Sequence, residues 1–242
     1  MKAMVLAAGK GVRLRPLTEE RPKALIDIEG VPMLELVLRR LISAGVTEAI
    51  VNVFHLPEMI AEFLKSKENF GIRIELSRES ELLDTGGGLK KAAWFFDDGK
   101  PFFLHNSDVL SDVDLGALYA AHAEKDALAT LAVRARASRR QLLFDEKGLL
   151  CGWEAGAGQQ LVRPAGKVER LAFLGIHVVS PALFPEMPEG GVFSIIKPYL
   201  GLAARGGNIR AFRCDGRFWR DIGSPEKLEE ARRLAREKGL PS

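Results

Sequence analysis

The chain is poor in cysteine. Cys151 and Cys214 are the only two, and no C-x-x-C spacing occurs. That excludes a zinc ribbon or a dithiol redox centre, and it points to a reducing, cytoplasmic setting rather than a disulfide scaffold. Long apolar runs are also missing, and nothing approaches the ~18 residues of a membrane span. The opening run Ala3–Ala8 follows Lys2 but meets Gly9 and then basic residues. It is too short for a signal-peptide core and reads as a buried strand. No charge of one sign dominates, because the formal net charge is +3 with both signs interspersed. Neither a nucleic-acid partner nor a membrane surface is therefore expected. No Ser-His-Asp or Cys-His arrangement is visible. His55, His105, His122 and His177 are scattered, and His105 and His177 sit on apolar runs that read as core.

Core material is ample, with 47% hydrophobic residues. Short apolar runs alternate with helical patterns. Met4–Ala8, Ala49–Val53, Ile72–Leu76 and Phe102–His105 read as strands. Pro32–Ala44 has a helical period and Gly45 as its stop. Pro57–Leu64, Leu89–Phe96 and Leu115–Ala123 also read as helices, with Asp112 and Asp114 as turn and N-cap residues. Strands this far apart cannot be hairpins, so they imply parallel pairing with helices on both faces. Beyond residue 127 the texture changes. Ala127–Val133, Gln141–Phe144, Leu149–Trp153 and Leu171–Val179 are strand-like, separated by turns at Asp145–Gly148 and Gly156–Gly158, and mix antiparallel strands into the sheet. Ser194–Ala204 and Pro225–Arg236 return to helix, the latter with Ser224 as N-cap and Pro225 in its first turn. The expected fold is α/β, Rossmann-like, with a mixed, mainly parallel sheet flanked by helices, in one domain over 1–242.

Gly9 and Gly11 follow the first strand directly. Glycines let backbone N–H groups approach a ligand, and a run of such amides makes an anion nest. Arg13, Arg15 and Lys23 add positive charge. A dinucleotide fingerprint fails because Leu14 stands where a third glycine belongs and Pro16 and Pro22 keep Leu14–Lys23 as loop. A phosphate loop of the Gly-Lys-Ser/Thr type is absent. On the acidic side, Asp108 follows the strand Phe102–His105, at the carboxyl end where open α/β sheets bind ligands. Asp221 precedes the last helix. Two aspartates from distant segments suit Mg²⁺, which takes a few carboxylates plus phosphate oxygens. Asp84–Thr85–Gly86–Gly87–Gly88 is a second glycine cluster, with Gly88 expected to open a helix whose N-terminus attracts anions.

The run Leu6-Ala-Ala-Gly-Lys-Gly-Val-Arg-Leu-Arg-Pro-Leu-Thr18, followed by Arg-Pro-Lys-Ala-Leu25 and by Gly30–Val31–Pro32–Met33, resembles the signature of the sugar-1-phosphate nucleotidyltransferases. The similarity extends to about residue 230. It is nearest to the short N-acetylmuramic acid 1-phosphate uridylyltransferase and mannose-1-phosphate guanylyltransferase types, which lack a C-terminal β-helix. The resemblance implies a nucleoside triphosphate and a sugar 1-phosphate as partners, in a monomer or small homo-oligomer. It implies that Leu6, Ala8, Gly9, Lys10, Gly11, Val12, Arg13 and Lys23 hold the nucleotide, with Glu79, Thr85, Gly86 and Gly88 around the base. It makes Arg13, Lys23 and Asp108 catalytic, assigns Mg²⁺ to Asp108 and Asp221, and sets Asn106, Glu154 and Gly175 against the sugar. Ser107 departs from the family's usual Asn-Gly-Asp, which leaves the sugar open. UTP with N-acetylmuramic acid 1-phosphate or a hexose 1-phosphate is the first expectation, GTP with mannose 1-phosphate the second. A regulatory nucleotide-sugar binder and a metal-dependent glycosyltransferase using Ser107–Asp108–Val109 are the alternatives.

Overall fold

The computed structural model describes residues 1–156 and 158–239. The strands are β1 (Lys2–Leu6), β2 (Asp27–Ile28), β3 (Val31–Pro32), β4 (Glu48–Val53), β5 (Arg73–Arg78), β6 (Phe102–Asn106), β7 (Val109–Ser111), β8 (Ala129–Arg134), β9 (Arg140–Phe144), β10 (Leu150–Ala155), β11 (Gly158–Leu161), β12 (Glu169–Val179), β13 (Ile209–Arg213) and β14 (Trp219–Asp221). The helices are α1 (Leu17–Glu20), α2 (Met33–Ser43), α3 (Pro57–Ser66), α4 (Asp84–Lys91), α5 (Leu115–Glu124), α6 (Ile196–Ala204) and α7 (Pro225–Lys238). The chain divides into two compact units. The first holds Met1–Leu82, His105–Val113 and the segment from Arg217 onward; the second holds Leu83–Leu104 and Asp114–Gly216.

In the first unit β1, β4 and β5 are parallel neighbours, with Leu6 opposite Asn52 and Asn52 opposite Ser77. Ala3, Met4, Val5, Ile50 and Val51 are fully buried, as strands covered on both faces must be. Helix α2 buries Met33, Leu34, Val37, Leu38 and Leu41, its expected stripe. It ends in a Schellman turn: Val46 N–H donates to Leu41 O, Gly45 N–H donates to Ile42 O, and Gly45 takes φ +92°. Helix α7 begins as expected, with Ser224 Oγ accepting from Lys227 N–H and Pro225 in its first turn. One apolar cluster underlies the segments of interest. Leu14, Ile26, Met33, Leu110, Ile222 and Leu228 pack together in it. Each fully buried side chain of this size stabilises by roughly 1.5–3 kcal/mol.

The second unit carries the antiparallel strands. β9, β10, β11 and β12 are antiparallel neighbours, and β8 pairs antiparallel with β12 and parallel with β13. Strand β12 has an irregular register between Phe173 and His177, and Gly175 sits there at φ +76°. Asp114 caps α5, accepting from Ala117 N–H at 2.8 Å.

Three expectations need correction. The stretch Leu14–Lys23 is not plain loop: Val12–Leu14, Leu17–Glu20 and Lys23–Leu25 each form a short helical turn, because Pro16 and Pro22 interrupt a helix without forbidding single turns. The helix expected at Leu89–Phe96 is Asp84–Lys91, followed by a 3₁₀ turn at Ala93–Phe95. The glycine cluster therefore lies inside a helix, and Gly88 does not open it. Packing overrides the poor helical propensity of glycine there. A Cβ on Gly86 would lie 2.4 Å from the Phe193 ring, and one on Gly87 2.3 Å from Gly191 O. The turn at Gly156–Gly158 includes Ala157, which is outside the described residues.

Two buried histidines set an acid limit. Burial lowers His105 to about 4, with nearby Arg40 acting the same way against the Asn106 carbonyl and Asp108. Burial lowers His122 to about 4 against Asp126. Both bind protons more weakly folded than unfolded. Their contribution is intact above the ordinary histidine value and is lost as pH falls from ~6.5 toward 4. The unfolding midpoint is expected to drop by roughly 10 °C between pH 7 and 5. Thermal melts of the parent and of His122→Asn check this: the variant should show the shallower fall.

Candidate active site

The first unit gathers most of the predicted nucleotide and metal residues. Leu6 ends β1 and its carbonyl accepts from Ser107 N–H at 3.1 Å, beside the last residue of β6, Asn106. The N–H groups of Ala8, Gly9, Lys10, Gly11 and Val12 carry no hydrogen bond to any described residue. Consecutive unpaired amides beside a strand end are the donor array that an anion requires. Gly9 keeps the space above them clear, since an added Cβ would meet nothing within 4 Å. Gly11 has a different role. It adopts φ +63°, and a Cβ there would lie 2.7 Å from Thr18 Cγ2 and 3.1 Å from Lys23 Cβ. Thr18 Oγ1 donates to Gly11 O at 2.9 Å, and Leu14 anchors the loop in the apolar cluster. The loop is thus packed directly against the base of Lys23. Lys10 lies over the Phe54 ring at 5.3 Å, and Val12 is exposed.

Lys23 forms an ion pair with Asp108 Oδ2. Asp108 precedes β7, and β7 pairs antiparallel with β14, bringing Asp221 opposite Val109. Ile222 N–H donates to Asp108 O at 3.1 Å. The two aspartates, more than a hundred residues apart in sequence, are therefore brought together by this strand pair, Asp221 within β14 and Asp108 one residue before β7. Sequence reading missed the group that neutralises the second: Lys227 Nζ contacts both Asp221 oxygens, at 2.8 and 2.6 Å. Its one signal was its place in the first turn of α7, from which a side chain reaches back toward the helix start. Burial alone would raise Asp221, but the bonds from Lys227 and from Gly223 N–H, with the nearby Lys23 charge, hold it below the usual carboxylate range. Asp221 is therefore ionised at neutral pH.

Gly223 locks this corner. A Cβ there would lie 2.6 Å from Asp221 Oδ1 and 3.0 Å from an Arg13 guanidinium nitrogen. Arg13 and Asp221 thus crowd one glycine. Gly223→Ala is expected to displace Asp221 or Arg13 and lower kcat/KM about 10²-fold, the usual consequence of a misplacement near 1 Å. The melting temperature should stay within a few degrees of the parent, and steady-state kinetics beside a melt checks both. Asp112 serves structure, accepting from Phe218 N–H at 2.7 Å.

Glu79 is buried and accepts from Asn52 Nδ2 at 2.7 Å. Thr85, Gly86, Gly88, Glu154 and Gly175 belong to the second unit. There, Gly86 and Gly87 N–H donate to Phe193 O, and Thr85 Oγ1 accepts from Ile195 N–H at 3.0 Å. These donors and glycines are committed to packing. Glu154 pairs with Arg170 at 2.9 Å. Its neighbour Trp153 faces the opposite way, into a cavity of about 900 Å³ lined by Arg140, Leu142, Phe173 and Lys197, for which no sequence pattern was a sign. Among the described residues no group of three or more His, Cys, Asp or Glu could hold a metal ion by itself.

Comparison with known proteins gives the family. Residues 2–142 match the family model described as nucleotidyl transferase. The chain is 33% identical over 243 aligned positions to an N-acetylmuramate alpha-1-phosphate uridylyltransferase of Caulobacter vibrioides, covering 96% of both. It is 32% identical to mannose-1-phosphate guanyltransferase beta-B of Xenopus laevis, covering 93% of this chain and 62% of that protein. A solved UDP-glucose pyrophosphorylase complexed with UDP-glucose shares the fold, with TM-score 0.80 at 18% identity and 98% of each chain covered. With an unpaired amide loop beside two lysine-bound aspartates and a family match over more than half its length, this chain belongs to the nucleotidyl transferase family.

Proposed function

We propose that the chain is a sugar-1-phosphate nucleotidyltransferase, moving a nucleoside monophosphate from a nucleoside triphosphate to a sugar 1-phosphate and releasing pyrophosphate. One observation carries the reading: five unpaired amides stand in the same unit as three cations, Arg13, Lys23 and Lys227, interleaved with the carboxylates of Asp108 and Asp221. A sugar 1-phosphate is already an anionic nucleophile, so no strong general base is needed. Catalysis then consists of positioning and charge neutralisation. The amides of Gly9–Val12 and the Arg13 guanidinium hold the β and γ phosphates. Lys23, released from Asp108, stabilises charge on the α-phosphoryl group as the sugar phosphate oxygen attacks and pyrophosphate leaves.

Asp108 and Asp221 fit Mg²⁺ by their chemistry and arrangement. They are two carboxylates brought together by the β7–β14 pair, each already balanced by an ammonium group, in a place that holds positive charge. The metal would neutralise phosphate oxygens at the reacting centre. For substrates, similarity to uridylyltransferases supports UTP with N-acetylmuramic acid 1-phosphate or a hexose 1-phosphate. The guanylyltransferase similarity supports GTP with mannose 1-phosphate as the second reading.

A matrix of the four nucleoside triphosphates against sugar 1-phosphates, read by pyrophosphate release with Mg²⁺, tests the proposal. UTP with N-acetylmuramic acid 1-phosphate should be turned over fastest. Nucleotide binding with no pyrophosphate from any pair would instead mark a regulatory binder.

A further inference from the structure

The ladder between β1 and β4 ends with Leu6 opposite Asn52. One residue later a side chain takes over from the backbone. Ala7 N–H donates to Asn52 Oδ1 at 2.8 Å. On its other side Asn52 Nδ2 donates to Glu79 Oε1 at 2.7 Å. Glu79 stands just past β5, with its own N–H donating to Val53 O at 2.9 Å. Ala7, Asn52 and Glu79 are all buried. A planar amide has a fixed donor side and a fixed acceptor side. The Ala7 N–H can only donate, and on the far side Glu79 Oε1 accepts, so Asn52 is held in a single orientation. Ala7 is also the last hydrogen-bonded amide before the unpaired run Ala8–Val12. The direction in which that run leaves the sheet is therefore set by a side chain from the neighbouring strand.

We infer that Asn52 is a positioning residue for nucleotide binding, fixing the start of the phosphate loop through the buried link Ala7–Asn52–Glu79. The inference rests on the reading of Ala8–Val12 as a triphosphate site. It acts on binding of the nucleoside triphosphate and leaves the sugar phosphate alone.

The link has a polarity, and that gives its test. Asn52→Asp keeps the shape and the acceptor for Ala7 but sets a carboxylate against Glu79. Two carboxylates at this distance share one proton near neutral pH and lose it only at a raised pH. UTP binding by N52D, measured by calorimetry, should match the parent near pH 6 and weaken about tenfold by pH 9, while the parent shows no such trend. N52D/E79Q restores the link with reversed polarity: the amide introduced at position 79 donates to the carboxylate introduced at position 52. It should bind UTP more tightly than N52D at pH 9 and with no trend between pH 6 and 9, the single variant E79Q being measured alongside to separate any contact of Glu79 with the base. A merely structural Asn52 would change melting temperature without this pH trend or this rescue. If the parent binds UTP and N52D binds it equally at pH 6 and 9, or if the double variant binds no better than N52D at pH 9, the inference fails alone. If the parent binds no nucleoside triphosphate, the functional reading fails and the inference with it.

Discussion

Lys23→Ala is expected to lower turnover by about 10²–10³-fold, the loss typical of removing one preorganised charge from a phosphoryl-transfer site. The side chain is only 14% exposed, pairs with Asp108 and rests against the position of Gly11. It is a cation packed against both the loop and the Asp108 carboxylate. Its removal leaves Asp108 without this partner, so part of the effect could come from the freed carboxylate. Lys23→Ala combined with Asp108→Asn separates the two. If Lys23 acts on the transferred phosphate, the double variant is slower than Asp108→Asn alone; if Lys23 merely restrains Asp108, the double variant is as slow as Asp108→Asn and no slower. Steady-state kinetics at saturating UTP reads the difference, with a thermal melt showing that both variants fold.

Asp108→Asn and Asp221→Asn carry the second large effect. Each keeps the side chain's shape and removes one anionic ligand. Turnover at fixed Mg²⁺ is expected to fall by about 10³-fold for each, as when a charge central to the transition state is lost. The stabilisation of the folded chain by Mg²⁺ with UTP should shrink, since a ligand stabilises in proportion to its affinity for the folded form. The two variants should differ without metal. Asp221 accepts Lys227 on both oxygens and Gly223 N–H besides, so Asp221→Asn should lower the melting temperature more than Asp108→Asn. Equal Mg²⁺ stabilisation in the parent and both variants would remove these residues from the metal site.

Much of this was legible because its signals are local. The apolar run before Gly9, the stripe of α2 and its Gly45 stop, and the Ser224–Pro225 start of α7 each depend on residues within a few positions. The motifs around Asp108 and Asp221 singled them out, and the β7–β14 pairing brings them together. What escaped depends on distance in the chain. Lys227 acquires its partner from the packing of α7 on β14, and Asn52 its role from the ends of two neighbouring strands. The glycine cluster misled for the opposite reason. Its composition speaks for a loop, whereas Gly86 and Gly87 are glycine because Phe193 and Gly191 lie against a helix there. The cavity at Trp153 depends on which face of β10 is covered, and no local pattern encodes that.

The central claim is transfer of the α-phosphoryl group, and following that phosphorus tests it most directly. With [α-³²P]UTP, N-acetylmuramic acid 1-phosphate and Mg²⁺, the account predicts label in a UDP-sugar and an equal amount of unlabelled pyrophosphate, with no labelled UDP. Label remaining in UTP, or appearing as free UDP, would contradict it.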